Sequence, residues 1–161
     1  MNLLIAKNVT NIDVNEDYAE KFVTLVESEF ETEIGFFDAG VEPKIVNHEK
    51  VNHIRVPPEN RSNLSLQMVE FAKHKGFTAI LYFPENAEPK KGIVDKLFSP
   101  MNDQNIGGTY CDYHENDILM IQSQPYVVCR RIEEHNGNLL DLKECNSIVQ
   151  YIPLDLYYVN S

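Results

Sequence analysis

The sequence predicts a single α/β domain over residues 1–161, with a mainly parallel central sheet and helices on both faces. Short, unbroken apolar runs of strand length alternate with longer segments through the first two-thirds of the chain. Within those longer segments, apolar residues recur every three or four positions, which is typical of helices. Because parallel strands need crossover connections, this alternation favours a mainly parallel sheet covered on both sides.

The predicted strands of the first two-thirds are apolar runs that stop at turn-forming residues. Gly40 follows the second run, and Pro57 and Pro84 end the third and fourth. The four runs are residues 3–6, 33–38, 53–56 and 79–83. After Pro100, further strands are expected at residues 107–113, 118–121, 126–129, 148–152 and 156–159, with polar turns between them.

Three helices are predicted between these strands. The first covers residues 17–30, and the second covers residues 63–75, with Ser62 or Asn63 as its cap and Gly76 just after its end. The third is expected to begin at Pro89, since proline is favoured in the first turn of a helix.

Composition and charge exclude several classes of protein. The net charge of −11 repels phosphate backbones, so we expect no nucleic-acid partner. No segment approaches the ~20 apolar residues of a membrane span, and the N-terminus has no signal-peptide pattern, which favours the cytoplasm. The three cysteines match no metal or redox spacing and are interpreted as free thiols.

In parallel sheets, ligands bind beyond the carboxyl ends of the strands, which nominates the residues that follow each run. Asp38 could accept hydrogen bonds from a base or ribose there, or could simply cap its own turn. Glu85 and Asn86, followed by Glu88, could bind Mg²⁺ or Mn²⁺, but a solvated acidic turn before a helix is the simpler interpretation.

A second polar cluster comprises Asp112, His114, Glu115 and Asp117. Such a cluster could hold a metal or serve acid–base catalysis, although a polar hairpin turn would have the same pattern. No GxSxG, Walker-A or GxGxxG motif is present. Nucleophilic hydrolases and nucleoside triphosphatases are therefore not indicated.

The order of these segments resembles that of inverting family-2 glycosyltransferases of the GT-A fold. Residues 33–40 (EIGFFDAG) are similar to their EIIVVDDGS strand, and residues 80–97 are similar to ILFLDDDVEPDPGLLDAL. The family also has a stretch eN.G...ArN.G...AKG, which residues 58–60 and the following helix, ending in AKHKG, resemble. Residues 107–113 resemble the family's vGgvYsDy strand. Residues 126–131 and 152–158 are similar to later family segments.

This resemblance implies a Rossmann-like GT-A domain that binds a nucleotide-sugar, with Asp38 contacting the base. Asn60 and Asp112 are the other nucleotide-binding candidates. The family's late catalytic ED motif has its nearest counterparts in Asp141 and Glu144, the candidate bases.

The family's DxD metal motif falls on Pro84-Glu85-Asn86, which makes Glu85 and Asn86 the metal-binding candidates. Pro84 has no side-chain oxygen and Asn86 has no charge. The resemblance therefore implies only a weak Mn²⁺ or Mg²⁺ site.

The resemblance predicts an enzyme that binds a nucleotide-sugar donor and transfers the sugar to a hydroxyl acceptor. The alternative is a degenerate, non-catalytic GT-A-like module with a binding or assembly role, which the altered metal motif favours. The sequence does not name the acceptor, and it leaves a homo-oligomer open.

Overall fold

The computed structural model of the chain describes residues 1–44, 46–132 and 147–160. Its strands are β1 (Asn2–Asn8), β2 (Glu31–Asp38), β3 (Val51–Arg55), β4 (Ala79–Phe83), β5 (Ala87–Pro89), β6 (Ile106–Glu115), β7 (Ile118–Met120), β8 (Val128–Arg131) and β9 (Ile148–Val159). Its α-helices are α1 (Glu16–Leu25), α2 (Leu64–Lys75) and α3 (Ile93–Phe98), and 3-10 helices cover Pro58–Asn63 and Ser99–Asn102.

The described residues form one sheet of nine strands in the order β3-β2-β1-β4-β8-β6-β9-β5, with β7 paired to β6. In the first half of this order, β1 pairs in parallel with β2 and β4, and β2 pairs in parallel with β3. The predicted strands at residues 3–6, 33–38 and 79–83 therefore pair in parallel, which confirms that part of the fold prediction.

The second half of the sheet makes it mixed rather than purely parallel. The strand β8 runs antiparallel to both β4 and β6, while β6 and β9 pair in parallel. The short strands β5 and β7 are antiparallel to β9 and β6. No α-helix separates β6 from β7, so a tight turn joins them, and tight turns produce antiparallel neighbours.

Both faces of the sheet are covered, as predicted. Alternate residues of β1 point to opposite sides: Leu3 and Ile5 pack into one core cluster, whereas Leu4 and Ala6 pack into the other. The helices α1 and α3 contribute to the first cluster and α2 contributes to the second. This arrangement leaves the carboxyl ends of the parallel strands at one edge of the molecule.

Three elements differ from the prediction. The helix α1 ends at Leu25 rather than at residue 30, and Asn15 caps its start by accepting a hydrogen bond from the Tyr18 N–H at 2.8 Å. Pro89 starts no helix because it ends β5, which pairs with β9, and α3 begins after Gly92. The two predicted C-terminal strands are one strand, β9, whose register against β6 shifts near Asp112.

Within the described part of the chain, none of the helices has the length and apolar character that crossing a membrane requires.

The end of α2 provides a test of the backbone conformation. Gly76 has φ +80°, and no atom lies within 4 Å of the position that its Cβ would take. Gly76→Ala should therefore lower the free energy of unfolding by about 1 kcal/mol through the left-handed backbone alone. Gly76→Asn should cost less, because asparagine tolerates this conformation. Urea unfolding measures both, and equal losses for the two variants would contradict this explanation.

Candidate functional site at the carboxyl edge of the sheet

The strand order places a topological switch point between β1 and β4. From β1 the chain proceeds outward to β2 and β3, and it then returns to place β4 on the other side of β1. In open α/β sheets, the crevice above such a point is the usual ligand site. The loops after β1 and β4 therefore define the candidate site.

The first feature of this crevice is a buried ammonium group. Lys7, the penultimate residue of β1, has a fully buried side chain. Its Nζ donates to the backbone carbonyls of Pro84, Glu85 and Ala87 at 2.8, 2.9 and 2.8 Å. It also lies 3.3 Å from the Glu88 carboxylate. Burial lowers the pKa of Lys7, and the charge of Glu88 opposes that shift. The loop after β4 is thus wrapped around the end of the Lys7 side chain.

Glu88 extends this cluster to the first helix. Its carboxylate accepts a hydrogen bond from the Tyr18 hydroxyl, with oxygen–oxygen distances of 2.8 and 3.1 Å. Burial, followed by the nearby Glu88 charge, raises the pKa of Tyr18. Glu88 therefore links α1 to the ammonium group of Lys7 and is a structural rather than a free carboxylate.

The metal-binding candidates Glu85 and Asn86 lie in the same loop. The Asn11 side-chain amide is 3.2 Å from each carboxylate oxygen of Glu85, so the crevice between the two loops is bridged. The Asn86 backbone carbonyl accepts from the Asn160 N–H at 3.0 Å.

Mg²⁺ takes six oxygen ligands, which normally include one or two protein carboxylates together with waters and substrate phosphates. Glu85 is the only carboxylate in Pro84-Glu85-Asn86, and it already accepts from the Asn11 amide. Three carbonyls of this loop are directed at Lys7, and Pro84 supplies no side-chain oxygen. In the described residues, no group of three or more His, Cys, Asp or Glu side chains could hold a metal ion. The donor set at Glu85 and Asn86 therefore does not fit a resident Mn²⁺ or Mg²⁺ ion.

The nucleotide-binding candidate Asp38 ends β2 with its side chain fully buried. Its carboxylate accepts the backbone N–H groups of Gly40 and Lys44 at 2.9 and 3.0 Å, and it lies 3.3 Å from Nη1 of Arg55. Burial alone would raise the pKa of Asp38. The two N–H donors and the charges of Arg55 and Lys44 outweigh burial and lower it.

A second lysine closes the loop after β1. The Nζ of Lys44 donates to the carbonyls of Val9, Thr10 and Ile12 at 2.8, 2.8 and 2.5 Å. Because the backbone N–H of Lys44 also binds Asp38, this one residue connects the ends of β1 and β2.

Asp38 and Glu85 lie at the same sheet edge, as predicted, since Asp38 ends β2, Glu85 follows β4, and both of these strands pair in parallel with β1. They do not face a common open cleft, because Asp38 is enclosed by its own chain. Two grooves of about 600 and 530 Å³ instead lie at the opposite, amino edge, where Glu33 and Thr78 are among their lining residues.

The remaining candidates are more scattered. Asn60 lies in the 3-10 helix after β3, where its N–H donates to the Pro57 carbonyl. Asp112 lies within β6 and accepts from the Gln122 N–H at 2.9 Å and the Tyr151 hydroxyl at 2.6 Å. The hydrogen bond from Tyr151 to Asp112 is the main cause that raises the pKa of Tyr151 to about 12, and burial is the second cause. The candidate bases at positions 141 and 144 lie outside the described residues.

The acidic cluster around His114 is a hairpin turn, one of the two interpretations that the sequence left open. Asn116 and Asp117 have φ values of 48° and 70° and connect β6 to β7. The Nδ1 atom of His114 lies 2.6 Å from the Asp155 carboxylate, which also accepts from the Lys90 ammonium at 2.6 Å. The cluster therefore does not converge on one site.

Sequence reasoning missed the two lysines. Lys7 ends an apolar run, a position that indicates burial, but its partners are backbone carbonyls and have no sequence signature. Lys44 lies in a polar loop with no distinguishing pattern.

The fold is similar to that of solved glycosyltransferase structures. S. aureus TarS 1–349 in complex with UDP-GlcNAc matches with a TM-score of 0.66 at 8% identity, covering 100% of this chain and 59% of that chain. GalNAc-T7 with UDP, GalNAc and Mn²⁺ matches with a TM-score of 0.64 at 10% identity, covering 99% of this chain and 43% of that chain. At these identities the likeness shows the fold alone, a GT-A-like α/β architecture.

The chain thus spans well under two-thirds of each of these solved chains. No protein-family model matches the sequence, and no curated protein matches it.

Removing the Lys7 ammonium tests whether it holds the loop after β4 in place. Lys7→Met should lower the free energy of unfolding by about 3 kcal/mol, because buried carbonyls and Glu88 would lose their donor. Lys91→Met removes the same charge from an exposed position and should have almost no effect. Chemical denaturation measures both variants, and an equally small loss for Lys7→Met would rule out the structural role.

The lowered pKa of Asp38 predicts a pH dependence. A carboxylate whose folded pKa is depressed stabilises the fold above its unfolded pKa, and this contribution is lost as pH falls through the folded value. The stability difference between wild type and Asp38→Asn should therefore be full at neutral pH, at about 2 kcal/mol, and shrink below about pH 4. Urea unfolding between pH 7 and pH 3 measures it, with Asp13→Asn as the exposed control. A difference that does not vary with pH would refute the assignment.

Proposed function

We propose that this chain is a glycosyltransferase-like domain that works as a non-catalytic binding or assembly module. The observation that carries the proposal is the enclosure of the Lys7 ammonium by the loop after β4. This loop is where the resemblance to GT-A glycosyltransferases would place the metal motif. Here it is organised around an internal cation that belongs to β1.

The electrostatics of the crevice support the same proposal. Sugar transfer from a nucleotide-sugar develops negative charge on the departing diphosphate, which a cation or N–H donors must stabilise. The positive groups here already have internal partners: Lys7 binds carbonyls of the β4 loop and Lys44 binds carbonyls of the β1 loop. The Glu85 carboxylate would repel a diphosphate, as would the net charge of −11.

The second candidate function is binding of a nucleotide-sugar with transfer of its sugar to a hydroxyl. It is favoured by the position of Asp38 at the end of β2, and by the UDP-GlcNAc and UDP present in the two solved structures of similar fold. In this mechanism Asp141 or Glu144 would take the proton of the acceptor hydroxyl, whose oxygen attacks the anomeric carbon as the diphosphate leaves. Asn60 and Asp112 would assist nucleotide binding.

In that second case, Glu85 and Asn86 would at most contribute weakly to holding a divalent cation. The Mn²⁺ in the GalNAc-T7 structure makes metal use plausible among proteins of this fold. The geometry at these two residues, however, argues that any donor binding by this chain depends little on the metal.

Titration calorimetry separates the two candidates. Uridine, guanosine and thymidine diphosphate-sugars are each titrated into the protein, with and without Mn²⁺. The proposal predicts no saturable heat with any donor and no release of nucleoside diphosphate, because the crevice is occupied by internal contacts.

A cooperative thermal transition of the same sample serves as the control for folding. Saturable heat with one donor that is strengthened by Mn²⁺ and lost in Asp38→Asn would instead establish the transferase-like function and overturn the proposed module.

A further inference from the structure

The segment that covers Asp38 is held mainly by hydrogen bonds, whereas the loop after β4 is held by the buried side chain of Lys7. Residues 40–44, here called the strap, follow Ala39, which is buried in the core, and fold back over the loop after β1. Lys44 fastens the strap at its far end through four hydrogen bonds, three from its ammonium and one from its backbone N–H. Arg55 adds a weaker contact of 3.3 Å to the Val41 carbonyl.

Little apolar burial holds the strap in place. None of the side chains between Gly40 and Lys44 is buried, and Val41 is 83% exposed. Lys7, in contrast, lies on β1, which has a strand on each side, and its side chain is fully buried. Segments held mainly by polar contacts open at lower free energy than core strands do. The strap should therefore separate from Asp38 and from the loop after β1 at a lower free energy than the Lys7-bound loop does.

Arg55 and His53 lie 3.3 and 4.0 Å from the Asp38 carboxylate, and the other groups described beneath the strap share one chemical property. The Asp38 carboxylate and the carbonyls of Val9, Thr10 and Ile12 are all hydrogen-bond acceptors, and Lys44 supplies every ammonium donor that the three carbonyls receive. A ligand that replaces Lys44 must bring N–H or O–H donors of its own. A nucleoside does so through its base and ribose, whereas a phosphate group carries only further negative charge.

We propose that the strap is an autoinhibitory segment, which keeps nucleosides from the acceptor groups beneath it as long as Lys44 is in place. Its release exposes a site for the nucleoside portion of a nucleotide. The Lys7-bound loop and the Glu85 carboxylate still exclude any stabilising contact with the diphosphate. This inference rests on the proposed function, because it takes the crevice to be closed in the wild-type protein.

The test compares Lys44→Met with wild type and with Lys91→Met, which removes the same charge from an exposed site. Uridine, guanosine, thymidine and their diphosphates are titrated into each protein, with and without Mn²⁺. Lys44→Met should bind one nucleoside at least about tenfold more tightly than wild type, a difference of about 1.4 kcal/mol. The matching diphosphate should bind no more tightly than the nucleoside, Mn²⁺ should change neither affinity, and Lys91→Met should behave as wild type.

Two calorimetric results would overturn the inference. One is a folded Lys44→Met protein that binds every probe as wild type does. The other is a Lys44→Met protein that prefers the diphosphate and needs Mn²⁺. Both results concern nucleosides and free diphosphates, whereas the proposed module is tested with nucleotide-sugars in the wild-type protein, so the failure of the strap and the failure of the proposed module remain distinguishable.

Hydrogen exchange in the wild-type protein decides the matter if Lys44→Met does not fold. The N–H groups of Gly40 and Lys44, which bind Asp38, should exchange at least about 100-fold faster than those of Phe36 and Phe37 in β2. Equal exchange rates would mean that the strap opens only with the whole fold, and would overturn its role as a releasable segment.

Discussion

The buried ammonium group of Lys7 is the interaction on which the rest of this edge depends. A charge without water must be surrounded by acceptors, and the acceptors available at the end of β1 are the backbone carbonyls of residues 84, 85 and 87. Meeting this requirement bends the chain back after β4. The bend delivers residues 87–89 to the end of β9 as strand β5, so the ammonium also helps to join the two halves of the sheet.

The need to surround buried charges with acceptors also determines which hydrogen-bonding groups of the crevice remain for a ligand. A site for a nucleoside diphosphate needs positive charge or N–H donors directed outward at the ligand. Here the ammonium groups of Lys7 and Lys44 are directed inward at carbonyls, and the N–H groups of Gly40 and Lys44 are directed at Asp38. The chain therefore has a GT-A-like architecture, and its own side chains and backbone occupy these hydrogen-bonding groups at the carboxyl edge of the sheet.

Much of the fold could be predicted, because burial leaves a pattern in the sequence. The apolar content of the runs around Leu3, Ile34 and Ala79 is enough to predict that each is a buried strand. Pro89 was wrongly placed in a helix, since its pairing with β9 depends on residues almost 70 positions away. Local propensity carries no information about such pairing.

The site was predicted less well than the fold, for a different physical reason. The position of Asp38 at the ligand edge followed from the strand order. Its actual partners are the backbone N–H groups of Gly40 and Lys44, and every residue except proline has such a group. The same holds for the carbonyls around Lys7. The sequence could therefore nominate the edge, but it could not indicate that the edge is closed.

Paramagnetic broadening of backbone amide signals tests the closed crevice most directly. Mn²⁺ is added to ¹⁵N-labelled protein in the presence of a uridine diphosphate-sugar, and the loss of each amide signal is measured. If Lys7 and Asn11 occupy the ligand groups of the loop, the amides of Asn11, Glu85 and Asn86 should broaden no more than those beside exposed acidic residues such as Asp13. Selective broadening of those three amides at low Mn²⁺ concentration would show a metal–nucleotide site at the switch point and contradict this account.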